Sequence, residues 1–346
     1  MKSRGLAVEN ATSPLKTFEF DRREIGSHDV GLDIKYTGIC HSDIHTARGE
    51  WGSVYYPLVP GHEIAGVVTS IGTAVTKFKV GDLIGVGVFV DSCRTCANCQ
   101  KGLQQYCLEG MTGTYNSIER NGKNETRGGY SNNFVINEDY AVHIPANLAL
   151  EGVAPLLCAG ITLYSPIKHF KVGPNSKVAV MGLGGLGHMG VKFAVAMGAD
   201  VTVLSHSASK EGDAKKMGAH HFVNTKEPGA FAPLKKSFDI ILNTVSAEID
   251  INEYLQCLKL DGTLVIIGLP GKPFALHAGV MLDGRRSITG SMIGGVSELQ
   301  EMINFCGEKD IVSDVEVINA DCANTAYDRT VASDVKYRFV IDASTF

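Results

Sequence analysis

The 346-residue sequence predicts an α/β protein in which a β-rich, barrel-like part is joined to a doubly wound parallel sheet. Up to residue 150, short apolar strands are separated by glycines and turns. From about residue 176 the rhythm changes to strand, helix, strand, the signature of parallel strands joined by crossover helices. The hexad GLGGLG at 182–187 follows one such strand and opens one such helix.

In the first part VGLDIKYTGIC, EIAGVVTSIG, GDLIGVGVFV and YSNNFVINEDYAVHIP read as strands. In the second, SKVAVMG is a β-branched apolar run, LGHMGVKFAVAMG has helical spacing, and DVTVLS is the next strand. FDIILNTV and GTLVIIGLP are two more strands, with INEYLQCLKL as the helix between them.

With 44% hydrophobic residues, a chain of this length can bury more than one core, so two domains are expected. A formal charge of −5 gives no electrostatic reason to expect nucleic acid or an anionic membrane as partner. The longest apolar stretch, Val153 to Tyr164, is shorter than the ~20 residues a bilayer requires. No internal repeat or low-complexity segment is visible. The opening MKSRGLAVENATSP has no apolar signal core, which points to a reducing cytoplasm.

Cys93, Cys96, Cys99 and Cys107 are separated by two, two and seven residues, so one loop can wrap a single tetrahedral ion. The thiolates must converge at about 2.3 Å from zinc, and the irregular DSCRTCANCQKGLQQYC loop can fold back to achieve this. Two disulfides are the alternative, disfavoured by the expected reducing compartment. Cys257, Cys306 and Cys322 have no ligand-like neighbours and read as inert.

The glycine hexad, Gly182, Leu183, Gly184, Gly185, Leu186 and Gly187, fits a dinucleotide pyrophosphate. Gly182 permits the tight turn, Gly184 lets the backbone approach the phosphates, and Gly187 lets helix pack on strand. The following helix offers free N–H groups and a positive dipole end. At the end of the next strand, Ser205 stands where Asp or Glu would favour NAD, followed by His206, Ser207, Ser209 and Lys210. Such donors with one fixed positive charge suit a 2′-phosphate, so NADP(H) is expected. An ordinary polar turn is the alternative.

CHSDIH, PGHEIAGVV, the four-cysteine loop, LLCAGIT and GLGGLGH, in this order, resemble the zinc-dependent medium-chain alcohol dehydrogenases. VDSCRTCANCQKGLQQYC, MTGTYNS, GGYS, APLLCAGITLYSP and GSMIGG are further similar to its cinnamyl-alcohol-dehydrogenase branch, particularly bacterial broad-specificity aldehyde reductases. The resemblance implies a GroES-like barrel at residues 1–150 and 290–346, with a Rossmann domain at 151–289 inserted. It implies two zinc ions per chain: a catalytic one on Cys40, His62 and Cys158, with Glu63 as an alternative ligand, and a structural one on the four-cysteine loop. Its implied activity is hydride transfer between NADP(H) and a primary alcohol or aldehyde, with zinc as Lewis acid.

In the implied relay, Ser42 passes a proton towards His45, and Asp43 orients His62. Thr162, Thr244, Gly268, Ser291, Met292 and Ile293 match cofactor-contacting stretches; Ser42 also touches the cofactor. Trp51, Met292 and Ile293 match the substrate cleft, although a lone Trp is ordinarily a core residue. Gly113 replaces the bulky aromatic of plant cinnamyl-specific enzymes, implying a differently shaped pocket. His188, His220 and His221 are expected to have no catalytic role. A homodimer through the segment Arg286 to Ser291 is implied. The alternatives are an NAD-linked alcohol or polyol dehydrogenase and a catalytically silent NADPH-binding protein.

Overall fold

The strand Asp29–Gly38 organises the first unit because it pairs on both edges and alternates buried Ile34 with exposed Asp33 and Lys35. The computed structural model describes residues 1–122 and 124–346 and divides into two compact units. Unit one comprises Met1–Ile161 and Ile293–Phe346, and unit two comprises Thr162–Met292. The divisions therefore fall at 161/162 and 292/293, against the 150/151 and 289/290 expected from sequence.

In unit one, a mixed sheet runs in the order Val315–Ile318, Arg338–Asp342, Asp29–Gly38, Ile64–Ile71, Leu83–Val86 and Ala141–His143. Asn133–Asn137 also pairs with Asp29–Gly38. Register irregularities between Gly31 and Leu32 and between Ile34 and Tyr36 bend the central strand, as bulges do. The sheet joins distant parts of the chain. Val340 registers with Gly38, while the Gly38 amide donates to Glu63 O at 2.9 Å. The C-terminal strand thus reaches the PGHE segment.

The strand expected over GDLIGVGVFV is two strands, Leu83–Val86 and Phe89–Asp91, because the second turns away to pair with Thr112–Gly113. A hairpin of Lys2–Ala7 and Lys16–Asp21 precedes the central strand. Leu6, Val8, Phe20, Ile44, Leu58, Tyr130 and Phe339 belong to one apolar core of this unit.

Unit two is a six-stranded parallel sheet, ordered His221–Asn224, Asp200–Ser205, Lys177–Met181, Phe238–Asn243, Leu258–Ile266 and Ser287–Gly290. Numbered within the unit this is 3-2-1-4-5-6, the doubly wound order that binds ligands beyond the strand C-termini where the order reverses. That point lies between Met181 and Asn243, which pair in register.

The helix expected over INEYLQCLKL ends at Gln256, and the strand begins at Leu258. Sheet pairing overrides the helical spacing there, since Leu258 is fully buried opposite Phe238 and Cys257 O accepts from the amides of Ser237 and Phe238. Among the described residues, no single helix is long and apolar enough to cross a membrane.

Candidate functional site

Cys40 ends the central strand region and caps the short helix His41–Ala47. His62 and Glu63 precede the strand Ile64–Ile71, and Cys158 sits between the turn Ala154–Leu157 and the helix Ala159–His169. The fold brings these four together: one donor atom from each of Cys40, His62, Glu63 and Cys158 lies within 4.8 Å of the others, and all four residues are buried.

The donor chemistry fits a zinc ion. His62 Nδ1 lies 2.9 Å from Asp43 Oδ1, which fixes that nitrogen as the N–H donor. His62 Nε2 and Glu63 Oε2 are buried and have no hydrogen-bond partner among the described residues. Buried polar atoms without partners are costly, and a cation held by this cluster would satisfy both.

The electrostatics point the same way. The Cys40 thiol is held well below its ordinary pKa, first by its contact with Cys158 and then by Arg338 and His62 against the cost of burial. Burial disfavours a charged His62, but the Asp43 carboxylate and Cys40 outweigh it and push the imidazole well above its ordinary range. The first shift favours a thiolate, the form that binds metal, and the second reflects the negative charge of Asp43 and Cys40 around the imidazole. Arg338 Nη2 donates to Glu63 Oε1, and both side chains are buried. Burial raises Glu63, to about 8, against the opposing pull of Arg338.

The second set also converges. Cys93, Cys96, Cys99 and Cys107 have sulfur atoms all within 4.8 Å of one another, with Cys93 and Cys99 3.8 Å apart. The loop turns at Arg94, whose φ is +66°, and winds through the short helix Ala97–Gln100. Backbone amides aim at the sulfurs: Cys96 N at Cys93 Sγ (3.3 Å), Cys93 N at Cys107 Sγ (3.4 Å) and Leu108 N at Cys96 Sγ (3.4 Å). The Leu108 amide is the main reason that Cys96 falls to about 6. Such amides stabilise thiolate, the form that binds metal. Cys257 and Cys306 are buried outside both sets, and Cys322 is exposed.

Ser42 Oγ lies 3.6 Å from Cys40 Sγ, beside the first cluster. His45 lies on the same helix, with Nδ1 bonded to Glu50 and its ring stacked on Trp51 at 4.9 Å. Trp51 is therefore not the core residue that a lone tryptophan ordinarily is; it is about half exposed. Gly113 donates its amide to Ser117 Oγ at 3.0 Å in the short strand Thr112–Gly113. Ile293 is buried with φ +40°, and Met292 is exposed.

In unit two, Gly182 takes φ +83°, the turn expected after the strand Lys177–Met181. A Cβ on Gly184 would meet nothing within 4 Å, so the backbone is open to a ligand there. One on Gly187 would collide with Gly182 O, so helix and strand pack closely. Leu183, Gly185 and Leu186 complete the turn into the helix Gly187–Ala196. Thr244 Oγ1 donates to Met181 O at 2.6 Å, placing it beside this turn, and Gly268 N donates to Asn243 O at 2.9 Å. Ser291 follows the last strand, and Thr162 is buried on the helix Ala159–His169. These features fit a dinucleotide.

Ser205 ends the strand Asp200–Ser205; its Oγ accepts from Ser207 N at 3.2 Å. Ser207 and Ser209 hydroxyls are 2.9 Å apart, His206 is exposed, and Lys210 closes the turn Ala208–Lys210. Part of the hydroxyl cluster thus organises its own loop.

Arg338, Tyr130, Glu50 and Ser92 escaped the sequence reading. Tyr130 lay in the GGYS motif, while Arg338 joins the site only through sheet pairing across three hundred residues. Ser92 Oγ accepts from Cys99 Sγ at 3.2 Å and lies 2.7 Å from Tyr140 Oη.

Residues 26–146 match the alcohol dehydrogenase GroES-like domain and residues 185–308 match the zinc-binding dehydrogenase domain. The chain is 56% identical over 340 residues to NADP-dependent alcohol dehydrogenase C 1 of Mycolicibacterium smegmatis, covering 98% of this chain and 97% of that one. It is 48% identical over 347 residues to aldehyde reductase YahK of Escherichia coli, covering 100% and 99%. The solved structure of a cinnamyl alcohol dehydrogenase from Helicobacter pylori, complexed with NADP(H), superposes with TM-score 0.93 at 41% identity, covering 99% of each chain. The fold and the two clusters are those of a zinc-binding oxidoreductase. The chain belongs to the zinc-dependent medium-chain alcohol dehydrogenase family, with GroES-like and Rossmann-like parts.

Proposed function

We propose that this enzyme transfers hydride between NADP(H) and a primary alcohol or aldehyde, with broad aliphatic, benzylic or cinnamyl specificity. The observation that carries the reading is the buried convergence of Cys40, His62 and Cys158, with His62 Nε2 unpaired. Full-length similarity to enzymes named as NADP-dependent alcohol dehydrogenase and aldehyde reductase supports the cofactor and substrate class.

In this proposal each chain holds two zinc ions. Cys40, His62 and Cys158 hold the catalytic one, and Cys93, Cys96, Cys99 and Cys107 the structural one. Three protein ligands leave a position open, whereas four close the site. When bound, the catalytic ion supplies Lewis-acid polarisation of a carbonyl. Asp43 fixes the His62 tautomer, and Arg338 holds the Glu63 carboxylate as a reserve ligand.

The Ser42 hydroxyl moves a proton to or from the reacting oxygen. His45, whose Nδ1 faces Glu50, exchanges it through Nε2, imidazole being the side chain that gains and loses protons near neutrality. Gly184 and the first turn of Gly187–Ala196 bind pyrophosphate, with Thr162, Thr244, Gly268, Ser291, Met292 and Ile293 around the cofactor. Ser205, His206, Ser207 and Lys210 bind the 2′-phosphate. Trp51, Met292 and Ile293 are the residues this proposal assigns to substrate contact.

The reading extends to a homodimer and a cytoplasmic location. Ser287–Gly290 is an edge strand of the parallel sheet, and Leu282 nearby is highly exposed, as an edge awaiting a second copy would be. Thiolate sites of both kinds persist in a reducing compartment.

Steady-state kinetics with NADPH and NADH across aliphatic, benzylic and cinnamyl aldehydes test the proposal. One or two charge-assisted bonds to the 2′-phosphate, each about 1.5–3 kcal/mol, correspond to roughly tenfold to about twenty-thousandfold preference for NADPH. Ser205→Asp should narrow or invert it. Equal use of NADH by the unmodified enzyme would reduce the serine cluster to a turn and favour an NAD-linked dehydrogenase.

A further inference from the structure

Asp43 is completely buried, and its two oxygens accept four hydrogen bonds. Oδ1 takes the Gly61 amide at 3.1 Å and faces His62 Nδ1 at 2.9 Å. Oδ2 takes the Cys40 amide at 3.0 Å and the Tyr130 hydroxyl at 3.1 Å. Three of these donors belong to the ligand residues or their immediate neighbours. The fourth comes from a segment nearly ninety residues away.

That segment is stitched to the ligand loop. The amides of Gly128, Gly129 and Tyr130 donate to the carbonyls of Val59, Gly61 and Pro60 at 2.8, 2.8 and 2.9 Å. Gly61 adopts φ +103°, and a Cβ there would lie 2.8 Å from Tyr130 N and press on its ring. The Tyr130 ring is fully buried in the same core as Ile44 and Phe339. Burial first, and the adjacent Asp43 charge second, hold its phenol well above the ordinary range, so the hydroxyl remains a donor.

Oδ2 therefore depends on two donors, of which only the Cys40 amide is intrinsic to the ligand helix. Removing the Tyr130 hydroxyl frees one side of the carboxylate to turn about its side-chain torsion, and Oδ1 then loses its alignment with His62 Nδ1. We propose that Tyr130 is a positioning residue for the Cys40, His62 and Cys158 cluster. Its hydroxyl locks Asp43, which orients His62 so that Nε2 points at the metal position. The inference rests on the catalytic-zinc reading of that cluster.

The test is zinc release from the purified holoenzyme to excess chromophoric chelator, comparing the unmodified protein with Tyr130→Phe, which keeps the ring and removes only the hydroxyl. The unmodified protein should release two ions in two phases. Tyr130→Phe should accelerate one phase by about 10-fold or more, the range for outer partners of metal ligands, and leave the other unchanged. In an Asp43→Asn background the same substitution should add no further acceleration, because the carboxylate it locks is gone. The cobalt-substituted protein should show a shifted visible spectrum in Tyr130→Phe.

Unchanged release, equal acceleration of both phases, or a variant that cannot fold would assign Tyr130 to the core alone and overturn the proposal. Persistence of the full effect in the Asp43→Asn background would also overturn it. A single ion in the unmodified protein would instead defeat the two-site reading, and this inference with it.

Discussion

Arg338→Met should destabilise the protein far more than the loss of one hydrogen bond. Arg338 and Glu63 form a buried ion pair, and the Glu63 side chain is fully enclosed. Cys40 and Asp43 lie close enough to add to the negative field at Glu63. Removing the guanidinium deprives this enclosed carboxylate of its ion-pair partner, a change that typically costs about 3–5 kcal/mol. At roughly 2–4 °C per kcal/mol for chains somewhat smaller than this one, the midpoint should fall by about 6–20 °C. Glu63→Gln should cost less, since an amide needs no compensating charge, and the double variant Arg338→Met/Glu63→Gln should recover part of the single loss. Scanning calorimetry on all four proteins, with zinc content measured for each, reads the cycle. A loss below about 1 kcal/mol in Arg338→Met, or simple additivity in the double variant, would refute the view that the two charges stabilise each other.

Metal analysis should find two zinc ions per chain; Cys40→Ala should retain one and lose turnover while NADPH binding persists, whereas Cys99→Ala should lower thermal stability, because a structural ion contributes folding free energy. Near-normal aldehyde reduction by Cys40→Ala would exclude the zinc mechanism. Ser42→Ala should lose most of kcat with little recovery from added imidazole, while His45→Ala should lose less above neutral pH and be partly rescued; equal rescue of both would show that protons take another route.

The parts of this molecule that were legible in the sequence are those whose chemistry is local. The spacing of Cys93, Cys96, Cys99 and Cys107 encodes a loop that needs no distant partner, and the sulfurs do converge within 4.8 Å. The run from Lys177 to Gly187 encodes strand, turn and helix in eleven consecutive residues. The first cluster is different in kind: Cys40, His62 and Cys158 are joined only by strand pairing and a buried turn, so residue chemistry alone left them as scattered core residues, and only the resemblance grouped them. Reading failed where tertiary pairing overrode local pattern. Leu258 to Leu260 continue a helical spacing but enter the sheet, because Leu258 is buried opposite Phe238.

Arg338 and Tyr130 show the same principle at the site itself. Arg338 bonds Glu63 and Tyr130 bonds Asp43, and neither is near its partner in sequence. A lone arginine opening an apolar strand, or a tyrosine after two glycines, has no periodicity or spacing that marks it. Their placement follows from two structural facts: the C-terminal strand registers against Gly38, and the Gly128–Tyr130 segment bonds along Val59–Gly61. The ligands are thus set by short motifs, while their charge balance and orientation are set by the sheet that closes around them. Substitutions in the motifs should therefore remove metal outright, and substitutions in the supporting pair should change how firmly it is held.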